Sequence, residues 1–361
     1  MTKKTRYFMA ASAGIVVVGL GSGLVAYYGG GFPSLSASRS GPSELSYVPA
    51  DASVVAYANV REVMDSQLRQ KMKAALPNET GQQEFQAETG IDIERDIDYV
   101  VAAMTTPGAG GLQQQPNGLV VARGRFNTTQ LETFIRDHGG VVEEYKGKRL
   151  VKATDSGMNK PPHTVVLAFL ESGLIGIGSE DAIRSSIDAQ LSAQSITSNN
   201  DMMELVADID NGNNAWAVGR FDAIQSQAHL PAEISSKIPS IKTFAVMTHI
   251  DGGLNGMLRA ETRDDQSAEN LRQVVQGLLA LGRMQNDPKA TAIINSLQLS
   301  GTGKTVALSF AVPAEIFDAL AAMHKDGAQL HQLPRELHEL HGEAPHAPEA
   351  PKPPTPPTPE K

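Results

Sequence analysis

The chain contains no cysteine. That one absence removes a disulfide framework, CxxC redox chemistry, a thiol nucleophile and thiolate-ligated zinc. Aromatic residues make up 5% of the chain, with a single tryptophan, too few for the stacking platforms that hold single-stranded nucleic acid. Lysine and arginine number 31 against 40 acidic residues, a net charge of -9, and no basic cluster occurs beyond the first six residues. Nucleic-acid binding depends on neutralising phosphate charge, so none is expected. No serine has the flanking glycines of GxSxG. A triad is recognised by geometry and not by sequence, so a hydrolase with dispersed catalytic residues stays open as an alternative.

Charge is absent from one long stretch. Lys3, Lys4 and Arg6 precede an uncharged run from Tyr7 to Ser38. Within it, Phe8 to Tyr28 is long and apolar enough to cross a ~30 Å hydrocarbon core as a helix. The cations on its N-terminal side keep that end in the cytoplasm. A cleaved signal peptide is the competitor, but its apolar region runs to only about 7–15 residues, and the small triplet Ser36, Ala37, Ser38 lies well past the apolar part. The expectation is a retained signal-anchor at 7–28, single-pass in the inner (cytoplasmic) membrane, with a basic stub at 1–6 and the remainder extracytoplasmic. Gly19 and Gly23 form a GxxxG that permits close helix pairing, although glycine is common in membrane helices in any case.

Composition divides the rest. Residues 29–46 are rich in Gly, Ser and Pro and read as a flexible linker. Residues 324–361 form a His- and Pro-rich tail, largely disordered, whose end is extended and polyproline-like. Between them the same cassette recurs, a run of small and β-branched residues followed by a break and a helix-period segment. Ser53–Val60 matches Asn214–Phe221, Asp98–Met104 matches Lys242–Met247, and Thr164–Phe169 matches Thr305–Phe310. The pattern predicts two tandem duplicated β-α-β-β-α-β-β units, at 47–200 and 201–323. Hairpin turn signals at Lys146-Gly147 and Asp251-Gly252-Gly253 make the class α+β, with mainly antiparallel sheets covered by helices in two layers.

Motifs with chemical content are few. Gly301-Thr302-Gly303-Lys304-Thr305 ends as a P-loop does, but Gln298 stands where its first glycine belongs and strand-like residues flank it, so a β-turn is expected. Asp208 to Asn214 is oxygen-rich but lacks EF-hand spacing, and reads as a polar turn. Asp92, Glu94, Asp96 and Asp98 alternate with isoleucines, which puts carboxylates on one side if the segment is extended; a solvated strand edge or turn is the expectation, with a weak cation site as the alternative. Ser179, Asp222 and Thr128 suit helix N-caps, and Pro313 an early helical position. Five of nine histidines fall at or after position 324. His331, His338 and His341 share a face if helical, a set able to hold zinc or nickel loosely; the competing reading is a solvated amphipathic helix in which Leu330, Leu333, Leu337 and Leu340 pack on the domain, and no other cofactor is expected. His138, His163, His229 and His249 have no evident partners.

Met1–Arg6 with its apolar run, Tyr47–Arg61 and Asn213–Asp222 resemble a family of bacterial single-span, membrane-anchored extracytoplasmic proteins of unknown function. The resemblance implies location and brings no catalytic residues. The functional expectation is a membrane-tethered extracytoplasmic binding or scaffolding protein, with a protein partner in the cell envelope and no recognisable catalytic machinery.

Overall fold

The structure, a computed structural model, describes residues 41–75, 86–87, 89–105, 117–155, 163–209, 212–225, 239–284 and 294–313. A 3-10 turn, Ser43–Tyr47, leads into β1 (Val54–Ala58). Helices α1 (Val60–Asp65), α2 (Gln67–Ala75) and α3 (Ile93–Asp96) follow, then β2 (Ile97–Thr105), β3 (Asn117–Gly124) and α4 (Thr128–Asp137). Next come β4 (Val141–Tyr145), β5 (Lys148–Asp155), β6 (His163–Glu171), β7 (Leu174–Gly178), α5 (Glu180–Ser192), a second 3-10 turn at Ile196–Ser198, and α6 (Asn200–Ile209). The chain continues through β8 (Ala215–Arg220), α7 (Phe221–Gln225), β9 (Ile241–Ile250), β10 (Gly253–Thr262), α8 (Asp265–Arg283), β11 (Gln298–Ser300) and β12 (Thr305–Pro313).

The strands form one 12-stranded sheet in the order β11-β12-β10-β9-β8-β1-β2-β3-β7-β6-β5-β4. Neighbours are antiparallel throughout. The expected α+β class with antiparallel pairing is what the structure has, but as a single sheet joined across β1 and β8. Thr164–Phe169 and Thr305–Phe310, matched by sequence, hold different places: β6 is two strands out from β3, whereas β12 lies directly beside β10. Alternation marks a strand and says nothing of its neighbour.

Local chemistry explains most boundaries. Ser179 Oγ accepts from Ala182 N and starts α5, and Ala193 in the left-handed region ends it. Asn127, not Thr128, caps α4 by accepting from Gln130 N. Asp222 falls inside α7 instead of capping it, and Pro313 ends β12 opposite Gly253. Between α1 and α2 the helix breaks at Ser66, whose Oγ donates to Val63 O and accepts from Arg69 N. Lys146 and Gly147, both at positive φ, make the β4–β5 turn that the right-handed strand twist favours.

Helices cover both faces of the sheet, one layer more than expected. On one face Val55, Val101, Val121, Leu150, Val166 and Trp216 pack against the first 3-10 turn, α5 and α6 through Leu45, Ile183, Ile187 and Val206. On the other, Val100, Val120, Val151, Leu167 and Ile175 meet Val60 of α1 and Ile135 of α4, and Ala260 and Val306 meet Ala268 and Leu271 of α8. Adjacent apolar pairs such as Val100-Val101 and Val120-Val121 supply both faces at once, the pattern of a strand buried on two sides. The first of these clusters draws on residues either side of 200/201.

Among the described residues no helix is long and apolar enough to cross a membrane. The expected span at 7–28 lies outside them, as does the tail at 324–361.

Candidate functional site

Among the described residues the most deeply buried acid is Glu44, 1% exposed, a residue that composition places in the linker. Arg123 of β3 holds it: Nε and Nη2 donate to Glu44 Oε1 at 2.9 and 2.6 Å. Tyr99 OH donates to the same oxygen at 3.2 Å, and Ser43 Oγ donates to Oε2 at 3.1 Å. Arg123 also reaches Glu171 Oε2 at 3.6 Å, and Tyr47 OH donates to Glu171 Oε1 at 2.8 Å. Tyr57 continues the row, with ring centroids 6.1 Å from Tyr99 and 5.6 Å from Trp216.

Burial first, then the Glu171 carboxylate, pushes the Tyr47 phenol up. Burial and Glu44 do the same to Tyr99. For Arg123, burial pulls down, but the hydrogen bonds to Glu44 outweigh it and the guanidinium is held further up. Both phenols therefore stay protonated as donors. The arrangement pins the turn through which the chain enters the sheet; buried charge is tolerated when each group finds hydrogen-bonded partners.

A second network fastens α5 to β4 and β5. Lys152 Nζ lies 2.7 Å from both Glu143 and Glu180, and Arg184 lies 2.7 Å from Glu143 and 2.9 Å from Glu180. The Arg184 guanidinium sits over the Tyr145 ring at 4.5 Å, and Tyr145 OH donates to Asp188. The Lys152 hydrogen bond, opposed by partial burial, holds the Glu180 carboxyl below the usual carboxylate range.

The third feature opens outward. Between α8 and β11 lies a cleft of about 310 Å³, with Arg272, Gln276 and Arg283 on the helix side and Leu297, Leu299 and Ser300 on the strand side. Arg272 donates through Nη2 to Gly303 O at 2.9 Å and Thr305 O at 3.0 Å; Arg283 is exposed. Along the same helix end, Leu278, Leu281 and Met284 are 52, 64 and 77% exposed. Within the described sheet, β11 has a strand on one side only. No sequence motif pointed here, because the cleft joins a helix flank to a three-residue strand.

The expected motifs resolve as follows. Gly301 and Gly303, both at positive φ, turn the chain between β11 and β12, as a β-turn and not a phosphate loop. In the Asp208 segment, Asn213 Nδ2 caps Ile209 O, Asn214 bridges both backbone groups of Ile250, and Asp208 pairs with Arg259. The Asp92–Asp98 segment is not extended. It turns through α3, with Asp92 capping it, Glu94 paired to Arg69 and Asp98 to Arg61. The expected turn is therefore present, and the carboxylates of Glu94 and Asp98 meet guanidinium groups. Among the described residues no three His, Asp or Glu side chains are placed to hold a metal. His331, His338 and His341 lie outside those residues, as does His229. His249 Nδ1 is 3.0 Å from Gly212 O and His138 Nδ1 2.6 Å from Phe134 O, both ordinary surface contacts.

Among the described residues, the features above define an α+β protein built on a long antiparallel sheet, with charge networks around Glu44 and Lys152 and an outward cleft between α8 and β11. Residues 9–297 match the family described as "Protein of unknown function (DUF3352)", and the chain belongs to it. No curated protein matches the chain and no solved structure does.

Proposed function

We propose that this protein is a membrane-tethered, extracytoplasmic binding or scaffolding module of the bacterial cell envelope, anchored through residues 7–28 with its folded part beyond the membrane. The observation that carries it is the uncharged run from Tyr7 to Ser38 behind three cations. Membrane insertion of such a run is favourable and its cations set the orientation. The cleft chemistry favours binding over turnover: two guanidinium groups, an amide, a hydroxyl and leucines form a recognition set, whereas proton transfer needs a group that titrates near working pH.

Membranes extracted at alkaline pH should retain the full chain, and a C-terminal tag should be cut by protease only when it is added outside the cytoplasmic membrane. Release by extraction, or a tag protected until lysis, would overturn the anchor. Pull-downs from envelope membranes with the full chain and with one lacking 324–361 should recover a common partner; none with either would remove the scaffold reading.

Internal duplication of a β-α-β-β-α-β-β unit is part of this proposal. Three observations support it. The element order from β8 to β12 is that unit. The β1–β8 register is symmetric about Ala56 and Ala217, at the centre of the matched segments. Register shifts skip Asp98 in β2 and Lys242 in β9, the two residues at which the matched second segments begin.

A further inference from the structure

Across five neighbouring strands, from β10 to β2, one face of the sheet carries a continuous row of electron-rich side chains. Met257 of β10 stands opposite Met247 of β9, Met247 opposite Trp216 of β8, and Trp216 opposite Tyr57 of β1. Directly opposed residues share a face, and the aromatic rings meet along it. Trp216 and Tyr57 are stacked at 5.6 Å, and Tyr99 of β2 follows at 6.1 Å from Tyr57, both within direct aromatic contact. Trp216 is 3% exposed, whereas Tyr57 and Tyr99 are half-buried, so the row leads from the core toward solvent. It ends on a proton acceptor: Tyr99 OH donates to Glu44 Oε1 at 3.2 Å.

In a chain without cysteine, indole and phenol are the side chains that give up a single electron most readily. We propose that the row is a relay that moves oxidising equivalents out of the core. A one-electron oxidant that strips Trp216 leaves an indole radical cation, beside which the thioether of Met247 is a soft, polarisable neighbour. An electron from Tyr57 refills the indole, and one from Tyr99 refills Tyr57. As that electron leaves, the phenolic proton of Tyr99 crosses to Glu44 Oε1. The net change is an intact Trp216, a neutral tyrosyl radical at Tyr99 and a protonated Glu44. Moving the proton with the electron spares the phenol a positive charge, which partial burial penalises, so the vacancy comes to rest on Tyr99. A small diffusible reductant, a thiol or an ene-diol, then returns one hydrogen atom to Tyr99, and Glu44 releases its proton to solvent. An indole that kept the vacancy would instead be oxygenated in the core that joins β1 to β8. The relay goes beyond the binding-module reading and does not depend on it.

The test places the vacancy on Trp216 itself. The full-length chain has one tryptophan, and a laser pulse at a wavelength that tyrosine does not absorb photoionises it in the presence of an electron scavenger. The indolyl radical absorption should decay as the tyrosyl band rises, and Tyr57→Phe should lengthen the indolyl lifetime at least tenfold. A nitroso spin trap, with its adducts located by peptide mass spectrometry, should mark Tyr99 in the wild type, Tyr57 in Tyr99→Phe and Trp216 in Tyr57→Phe. The emission maximum of Trp216 checks that the indole stays enclosed in each variant; Tyr99→Phe, one ring further away, carries the test if Y57F opens the core. Adducts on Trp216 in all three chains, adducts on a tyrosine off the row such as Tyr145, or an indolyl lifetime unchanged in Y57F would overturn the relay.

Discussion

Arg123 is the only cation whose hydrogen bonds to Glu44 the structure describes, and without it that carboxylate would face the interior with hydroxyl donors alone. Arg123→Met should therefore cost about 3–5 kcal/mol, the penalty for breaking a buried pair from one side, read as a lower urea midpoint. The phenols give a pH signature. Tyr47 and Tyr99 are pushed up by burial first, so their contribution is complete below the ordinary phenol value of about 10. It is lost as pH rises through their higher folded values. In an ultraviolet absorbance titration, two of the seven tyrosines should ionise late, and Y47F with Y99F should delete that late fraction. An unchanged titration would show the two rings to be open to water. None of this was legible in the sequence: Glu44 and Arg123 are 79 positions apart, and Glu44 sits in a stretch whose Gly, Ser and Pro content reads as linker.

Among elements, the caps test the local reasoning. Ser179→Ala should cost about 1 kcal/mol by leaving the first turn of α5 a donor short of a partner, measured by chemical unfolding. Gly124 is stricter, because a Cβ there would overlap Asp96 O, the acceptor of Arg125 N. Gly124→Ala should displace the start of β2 and destabilise by about 1–3 kcal/mol, within the ordinary range for backbone conflicts. Glu180 adds a second pH dependence, at the acid end. Its carboxyl is held down by the Lys152 hydrogen bond first and Arg184 next, so its stabilisation is present above about pH 4.3, the ordinary glutamate value, and is lost as pH falls through the lower folded one. The stability gap between wild type and Glu180→Gln should close on acidification; a constant gap would show the contact to be one of shape. The elements themselves were largely readable, since strands such as β4 and β7 and the cap at Ser179 follow from patterns within ten residues. The break at Ser66 was not, because serine inside a helical pattern is compatible with either outcome until its hydroxyl chooses a backbone partner.

At the scale of the whole molecule, antiparallel pairing followed from two short turns, but strand order did not, since it is decided by which apolar faces meet. Trp216, 3% exposed, stacks on Tyr57 across the β1–β8 junction, in a core shared by both parts of the chain. Far-ultraviolet circular dichroism and tryptophan fluorescence should thus report one coincident unfolding transition. Two separated transitions would mean that the parts fold independently.

The strand order also sets a distance. Glu44 ties the entering chain to β3, and β11 lies seven strand places away; at ~4.8 Å per place, that is roughly 34 Å of lateral reach before twist shortens it. A rotation of the chain upstream of that turn would therefore carry the β11 edge through an arc several times wider than the displacement at Glu44.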